Sequence, residues 1–259
     1  MESMNASAPE IGLIVVGDEI LSGRRRDTHL SAVIERLNAR GLALTWARYE
    51  GDDRARLANL LRATMATDAL VFSCGGIGAT PDDVTRQAAA DAAGVDLARH
   101  PEGAAILEER FGTDAHETRM RMVDFPAGAT LIPNPVNRVP GFQLARHCFV
   151  PGFPKMAWPM IEWVLDAQFA HWARDPAANR AIRVRARESD LVEMLERLGE
   201  AHPVVRFSSL PEMRDGDYVV ELGVHGPLAE VEAALGELDA MLDDAGVARA
   251  GAARDRATE

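Results

Sequence analysis

The fold is decided by the stretch Ala69-Leu-Val-Phe-Ser-Cys-Gly-Gly-Ile-Gly-Ala-Thr-Pro-Asp-Asp-Val-Thr85. Its first half is apolar and bounded by turn residues, which predicts a buried strand. Gly75, Gly76 and Gly78 follow, and glycines permit tight turns in which backbone N–H groups point outward. A strand, a glycine cluster and the start of a helix together offer unpaired donors, so the stretch predicts a binding site for an anionic group such as phosphate.

The end of this stretch is typical of a capped helix start. Thr80 is a favoured cap, Pro81 suits the first helical position, and Asp83 completes a variant of the capping box. Asp82 and Asp83 would repel a bare phosphate unless a cation lay between them, which indicates a bridging divalent metal ion. The alternative is that both acids serve only the helix dipole and the cap.

The residues before this stretch alternate between strand and helix patterns. Residues 11–16 form an apolar run that ends at an acidic loop, Gly17-Asp-Glu-Ile-Leu-Ser-Gly23, and residues 42–49 predict the next strand. The resulting order β-α-β-α-β-α is typical of an α/β fold with a mostly parallel sheet and helices on both faces. Ligands of such sheets bind at the carboxyl ends of the strands, so Asp18 and Glu19 are expected to share one site with Asp82 and Asp83.

Composition limits the classes of partner. The chain has 259 residues, 47% of them hydrophobic, and a net charge of −12, which disfavours nucleic acid and anionic membranes as partners but permits small anionic ligands. Two distant cysteines, Cys74 and Cys148, imply neither a disulfide framework nor a zinc site, and they fit a reducing cytoplasm. No export signal is expected within residues 1–10, which we expect to be flexible.

The residues from about 95 to 172 are divided by rigid turns that contain proline and glycine. We expect a helix over residues 101–111, strands over 129–132 and 148–150, and an apolar helix over 155–172. Three tryptophans in the last helix carry more apolar surface than one helix face usually buries, which predicts a homo-oligomer. They are Trp158, Trp163 and Trp172.

These motifs resemble, in order and spacing, the molybdopterin-binding (MoaB/Mog-like) three-layer fold, in the branch of the competence/damage-inducible protein A family. The resemblance covers roughly residues 11–166, and the molecule's domain of that type is expected over 11–176. The matching motifs are Gly17-Asp-Glu-Ile-Leu-Ser-Gly23, Asp27-Thr28, Gly75-Gly-Ile-Gly78, Thr80, Asp82-Asp-Val-Thr85, Asn134-Pro-Val136, Pro140-Gly-Phe142 and Pro151-Gly-Phe-Pro154. The family resemblance implies a ligand that is a pterin, such as molybdopterin, or a nucleotide-like pyrophosphate.

The resemblance also implies roles for individual residues. It implies Asp82 and Asp83 as catalytic residues of a metal-dependent pyrophosphatase, with Mg²⁺ or Co²⁺ held by Asp18, Glu19 and Asp82. The implied ligand-binding residues are Gly17, Gly75, Gly76, Gly78, Thr80, Thr85, Pro140, Gly141, Pro151 and Gly152.

The chain departs from the family pattern at four positions. His29, Ala79, Met122 and Met156 stand where the family usually has Asn, Pro, Gln and Glu. The loss of a carboxylate and an amide disfavours metal-dependent hydrolysis and is compatible with ligand binding.

A second domain is expected over residues 177–247, followed by a frayed tail over 248–259. Its pattern predicts a small α+β unit with the order β-α-β-β-α, whose two middle strands join across Asp215-Gly216. This unit is similar to the middle domain of the same family, and we do not expect the deamidase activity of the longest family members, whose deamidase domain has no room in these 259 residues. An acidic balance of 10 basic and 17 acidic residues from position 178 onward argues against nucleic-acid binding.

Three functions from different classes are therefore open. The chain is a pterin-binding or molybdopterin biosynthetic protein, a metal-dependent pyrophosphatase of nucleotides of the ADP-ribose type, or a non-catalytic interaction module. Phosphate bound at residues 75–80 would exclude the last function, and metal-dependent release of AMP would separate the second from the first.

Overall fold

The computed structural model describes residues 9–175, 177–214 and 217–251. The chain forms two compact units, residues 1–174 and 175–259, and their division lies two residues before the predicted boundary. Within the described part of the chain, no helix combines the length and apolarity that a membrane crossing requires.

The first unit alternates strands with helices. Its strands are β1 Ile11–Val16, β2 Trp46–Glu50, β3 Leu70–Cys74, β4 Leu97–Arg99, β5 Asp124–Pro126, β6 Thr130–Ile132, β7 Gly141–Leu144 and β8 His147–Val150. Its helices are α1 Asp18–Leu21, α2 His29–Asn38, α3 Arg54–Met65, α4 Thr85–Ala93, α5 Pro101–Phe111, α6 Glu117–Met120 and α7 Pro154–Gln168.

The central sheet has six strands in the order β2-β1-β3-β8-β7-β6. The first four are parallel, whereas β7 and β6 are antiparallel to their neighbours. Apolar clusters cover both faces, one containing Leu13, Phe72 and Ile161 and the other containing Ile14 and Leu57. Burial on both faces explains why the sequence of these strands is a continuous apolar run. The predicted α/β fold with a mostly parallel sheet is confirmed.

Several element boundaries differ from the prediction. β2 begins at Trp46 rather than at residue 42, because Thr45 instead bonds to Ile11 through its backbone and hydroxyl before the ladder starts. The strands β4, β5 and β7 were missed, since three or four residues carry too little periodicity to predict. The last helix ends at Gln168 and a separate 3₁₀ turn follows it.

The tryptophans of this region are used largely within the first unit. The Arg36 guanidinium lies 4.8 Å from the ring centre of Trp158, and Trp172 packs on Phe169 at 4.5 Å. Trp163 remains 38% exposed. Much of the apolar surface that motivated the oligomer is thus covered by the same chain, and the homo-oligomer stays a prediction.

The second unit has the predicted order β-α-β-β-α. Its elements are β9 Ala178–Val184, α8 Val192–Ala201, β10 Arg206–Arg214, β11 Asp217–Gly226 and α9 Leu228–Asp244. The three strands pair antiparallel in the order β10-β11-β9, and both helices contribute to one apolar core with them.

The expected frayed tail is wrong at its start. Ala248 accepts a backbone hydrogen bond from Arg185, and Ala250 donates one to Arg183, so residues 248–250 extend along β9. The rest of the predicted tail from 252, most of the predicted flexible N-terminus, and the turn at 215–216 lie outside the described residues.

Candidate functional site

A cleft of about 490 Å³ opens at the edge of the six-stranded sheet where β1, β3 and β8 end. The loops that leave these three strands form its floor. A further wall comes from residues 134–140 and from Met122. The expectation that ligands would meet the carboxyl ends of the parallel strands is consistent with the position of this cleft.

The glycine loop after β3 is built tightly against its neighbours. Gly75 and Gly76 have φ of 113° and 67°, a region that favours glycine. A Cβ atom on Gly75 would lie 2.3 Å from the carbonyl oxygen of Val16, and one on Gly76 would lie 2.3 Å from Oγ1 of Thr85. These two positions therefore accept only glycine without displacement of backbone or of a buried side chain.

The predicted helix start at Pro81 is wrong. Helix α4 begins at Thr85, and residues 80–83 form a turn closed by a 3.0 Å bond from the Asp83 amide to the Thr80 carbonyl. The Asp83 carboxylate accepts hydrogen bonds from the backbone amide, at 2.9 Å, and from the hydroxyl of Thr80. Thr-Pro-x-Asp suits both a helix cap and a turn with proline in its second position, and here it closes the turn.

Thr85 lies beneath the loop and holds two of its carbonyl groups. Its hydroxyl donates to the Gly75 carbonyl at 2.9 Å, and its amide donates to the Gly76 carbonyl at 3.0 Å. In a trans peptide the C=O and the following N–H point in opposite directions. Because these carbonyls face the helix, the amides of Gly76 and Ile77 face the other way, toward the cleft.

Four consecutive amides of the loop, at residues 76–79, have no hydrogen-bond acceptor among the described residues. Backbone N–H groups are strong donors that folded proteins nearly always satisfy. A run of such groups along a concave turn forms a site for an anion. The arrangement thus provides donors at the place where the sequence predicted them.

The acidic loop after β1 is arranged differently. The amide of Asp18 donates to the Asp52 carboxylate at 3.0 Å, and the amide of Asp52 donates to the Asp18 carboxylate at 3.3 Å. Burial raises the pKa of Asp52, and the nearby charges of Asp18, Glu19 and Asp82 raise it further, against the lowering effect of the Asp18 amide. No group of three metal-ligating side chains is found in the described part of the chain, so the predicted metal ligands do not form a preorganised centre.

The turn over residues 134–139 forms a third wall, and its polar groups are largely satisfied internally. Asn134 accepts from the Val136 amide at 3.0 Å and donates to Asn137 at 2.8 Å. Asn137 accepts from the Val139 amide and donates to the Met156 sulfur at 2.9 Å. The asparagine side chains therefore fold the turn, and the surface they leave toward the cleft is mainly apolar.

The turn after β8 is tied to helix α2. The buried imidazole of His29 lies 3.2 Å from the Gly152 carbonyl oxygen, and the Asp27 carboxylate accepts from the His29 amide at 2.8 Å. The Phe153 side chain beside it is 59% exposed at the cleft. His29 thus supports the cleft from below at a position where the motif pattern has asparagine.

Most of the predicted site residues line this cleft. They are Gly17, Glu19, Gly75, Gly76, Gly78, Thr80, Asp82, Asp83, Pro140, Pro151 and Gly152. Asp18 lies beside it in an adjoining surface groove. Thr85 and Gly141 support it from beneath, since Thr85 is fully buried and a Cβ atom on Gly141 would meet the Phe149 carbonyl at 2.3 Å.

Several cleft residues were missed from the sequence. Arg25 and Asp52 reach the cleft from the segments after α1 and β2, and Asn137 and Phe153 come from turns whose other members were noted. Asp52 follows β2, which is parallel to β1 and ends at the same edge of the sheet, so its placement after a predicted strand was a usable signal. Arg25 stands in a run of three arginines whose pattern carries no such signal.

The chain was compared with families of known proteins. Residues 12–171 match the model described as "Probable molybdopterin binding domain", and residues 176–250 match that described as "FAD synthase, middle domain". Because the first model covers more than half of the chain, the chain belongs to the family of proteins with this molybdopterin-binding domain.

Curated relatives agree with this membership. A CinA-like protein of Geobacter metallireducens is 33% identical over 245 residues, covering 90% of this chain and 57% of the relative. A CinA-like protein of Koribacter versatilis is 37% identical over 132 residues, covering 50% of this chain and 32% of the relative. The chain thus spans about a third to just over half the length of these relatives.

Among solved structures, the CinA protein of unknown function from Thermoplasma acidophilum is 26% identical with a TM-score of 0.56. The match covers 61% of this chain and 98% of that structure. Together, these matches confirm the predicted resemblance of the first unit to the MoaB/Mog-like fold in its CinA-like branch.

Proposed function

We propose that the first unit binds a small molecule carrying a phosphate or pyrophosphate group, with that group on the amides of residues 76–79. The observation that carries the proposal is the row of four consecutive amides in the loop that borders the cleft, none of which has an acceptor in the described chain. These N–H groups gain an acceptor when an anion binds to them. The interaction requires no metal ion.

The remaining cleft wall suits a planar ring. Ile77, Met122, Val139, Pro140 and the exposed Phe153 present apolar surface next to the donor row. Apolar and aromatic walls with a few placed polar groups are typical of small-molecule sites. A molecule with a phosphate at one end and a flat heterocycle at the other fits this division, and molybdopterin and nucleotides both have that form.

The family match supports a pterin, since the matching model is described by molybdopterin binding. The match of the second unit to a domain of FAD synthase supports a nucleotide equally well. We therefore propose a pterin phosphate or a nucleotide as the ligand class.

A Gly78→Val variant tests this proposal. The added Cβ would lie 2.4 Å from the Asp83 carboxylate, so either the loop shifts or this carboxylate leaves its bonds to Thr80, which close the turn. We expect titration calorimetry with pyrophosphate and with ADP to show binding by the unaltered protein and a loss of at least about 30-fold in the variant. Gly236→Val is the matched control, since its Cβ would meet open space in α9, and unaltered affinity in Gly78→Val would remove the loop from the site.

The second candidate function is a metal-dependent pyrophosphatase acting on nucleotide diphosphates of the ADP-ribose type. The crowding of Asp52 by Asp18, Glu19 and Asp82 favours it, because a divalent cation would relieve the repulsion among these carboxylates. The donor set is not preorganised for a metal, and we derive no catalytic step through one. Under this function Asp82 and Asp83 would be the catalytic acids.

Asp82→Asn separates the two functions. Under the pyrophosphatase function, release of AMP from ADP-ribose with Mg²⁺ or Co²⁺ is expected in the unaltered protein and lost in Asp82→Asn. Under the binding function, the unaltered protein releases no AMP, and Asp82→Asn binds pyrophosphate more tightly because a negative charge has left the cleft. The melting temperature should stay within about 2 °C in either case, since Asp82 is exposed and the turn is closed by the bonds of Thr80 to Asp83.

The third function, a non-catalytic interaction module, would leave the loop without a ligand. Failure of pyrophosphate, ADP and a pterin phosphate to bind would favour it.

The proposed homo-oligomer is tested separately by light scattering at micromolar concentration, where the mass of a single chain would contradict it.

A further inference from the structure

Arg86 lies beneath the glycine loop at the second position of α4 and is 4% exposed. Its guanidinium donates to the Gly78 carbonyl at 2.5 Å, to the Asp124 carbonyl at 3.3 Å, and to the Arg121 carbonyl. Among the described residues no ion pair includes Arg86: the Asp124 carboxylate is paired with Arg99, and the charges of Asp124 and Asp83 only partly oppose the lowering of the Arg86 pKa by burial. An arginine with this burial usually has an ionic partner, since an unpaired buried charge is costly.

The bond to Gly78 determines the direction of the next amide. Because the Gly78 carbonyl is drawn toward Arg86, the Ala79 amide of the same peptide group points the opposite way. Thr85 has the same effect on the amides of Gly76 and Ile77 through the carbonyls before them. Thr85 and Arg86 together therefore aim three amides of the loop into the cleft.

The bond to Arg121 connects the loop to the opposite wall. Arg121 begins the 3₁₀ turn that presents Met122 to the cleft, so one guanidinium joins the donor row and the apolar wall. The spacing of these two walls depends on this side chain. Its charge also lies behind the amides, where it adds positive potential to the place proposed for the anion.

We propose that Arg86 is a positioning residue for anion binding: it fixes the Gly78 carbonyl and the Met122 wall, and its buried positive charge is balanced by the ligand's phosphate. This inference rests on the proposed function for the identity of the site. It goes beyond it by assigning affinity and selectivity for anions to a side chain that lies beneath the cleft.

The test compares Arg86→Gln and Arg86→Lys with Arg62→Gln by calorimetry with inorganic pyrophosphate at fixed ionic strength. Arg62 is the matched control, because it is an exposed arginine that donates to the Asp91 carbonyl near the other end of α4. We expect Kd to rise about 30-fold in Arg86→Gln, less in Arg86→Lys, which keeps the charge, and less than twofold in Arg62→Gln. A folded Arg86→Gln or Arg86→Lys with Kd within twofold of the unaltered protein would overturn the proposal.

A second measurement keeps the proposal testable whatever the ligand is. The ¹⁵N order parameter of the Ala79 amide should be near 0.85, as for a rigid backbone, and fall below about 0.6 in Arg86→Gln or Arg86→Lys. Arg62→Gln should leave it unchanged, and an unchanged value in both Arg86 variants would contradict the positioning role.

The Kd for pyrophosphate and the order parameter of the Ala79 amide together distinguish failure of the proposed function from failure of the inference about Arg86. If the unaltered protein binds no pyrophosphate, the proposed function fails and the charge-balancing part of the inference fails with it, while the order parameter still decides the positioning part. If it binds and the Arg86 variants bind equally, the function stands and the inference fails. Ile161→Val, a buried change on the other sheet face, should lower the melting temperature without changing Kd, which separates positioning from general stability.

Discussion

Two loops leave neighbouring parallel strands at the same edge of the sheet and use their backbones in opposite ways. The loop after β1 starts at Gly17 and the loop after β3 at Gly75, and both glycines have positive φ. In the first loop, Gly17 donates to the Glu50 carbonyl and Asp18 to the Asp52 carboxylate. In the second loop, the amides of residues 76–79 have no acceptor within the described chain.

The difference comes from what lies beneath each loop. Below the second loop, Thr85 and Arg86 bind the carbonyl groups and leave the amides facing outward. The first loop instead closes into the short helix α1, where successive amides bond to carbonyls within the loop itself. The first loop therefore presents excess negative charge and the second presents excess donors, although both begin with a glycine and contain two acids.

The largest effect that this comparison predicts is on stability. Gly75→Ala places a Cβ atom 2.3 Å from a backbone oxygen at φ 113°, whereas Gly17→Ala places one 2.5 Å from the movable Glu19 carboxylate. We expect Gly75→Ala to lower the free energy of unfolding by about 3 kcal/mol and Gly17→Ala by about 1 kcal/mol. Urea unfolding measures both, and equal losses would show that the two loops are equally constrained.

A smaller effect is expected for the two acids of the second loop. Asp83 accepts from the Thr80 amide at 2.9 Å, whereas Asp82 is exposed. Asp83→Ala should cost about 1 to 2 kcal/mol, because the turn loses its side-chain bonds. Asp82→Ala is the control, with a melting temperature close to that of the unaltered protein. A loss in Asp82→Ala as large as in Asp83→Ala would contradict the assignment of the turn to Asp83.

The elements that were predicted well are those whose signal is local. β1, β3 and α5 stand in long apolar or amphipathic runs, and burial on both faces of the sheet explains the continuous character of the strands. β4 and β5 pair only with each other over three residues each, too short a span for periodicity to identify. Phe125 of β5 shares an apolar cluster with Ala88 of α4 and Leu107 of α5, and no local pattern encodes such packing between distant elements.

The sequence predicted where the site lies in the sheet, but it did not predict the conformation of the loops that form the site. The glycines and the carboxyl ends of the strands identified the cleft, yet the pattern Thr-Pro-x-Asp was assigned to a helix cap. The choice between a cap and a turn is made by Thr85 and Arg86, whose bonds hold the loop carbonyls away from a helical path. Likewise Asp18 was assigned to a metal, whereas its bonds to Asp52 depend on a contact across 34 residues.

The smallest predicted effect concerns the charge of the first loop. Burial and neighbouring carboxylates raise the pKa of Asp52, so the folded protein binds a proton there more tightly than the unfolded chain does. The sign follows from linkage: stability from this group is present at low pH and is lost as pH rises through the folded pKa.

Asp52→Asn should therefore stabilise the protein at pH 7 by about 0.5 kcal/mol, a value reduced by the solvent exposure of the site. The gain should disappear at acidic pH, below the raised pKa of Asp52, where Asp52 itself is protonated, while Asn can still accept from the Asp18 amide. Urea unfolding of both proteins at pH 7 and at acidic pH measures the difference, and calorimetry should show pyrophosphate binding about twofold tighter in the variant. A stability gain that does not change with pH would mean that Asp52 acts through packing rather than charge, and the contrast between the two loops would then rest on the free amides alone.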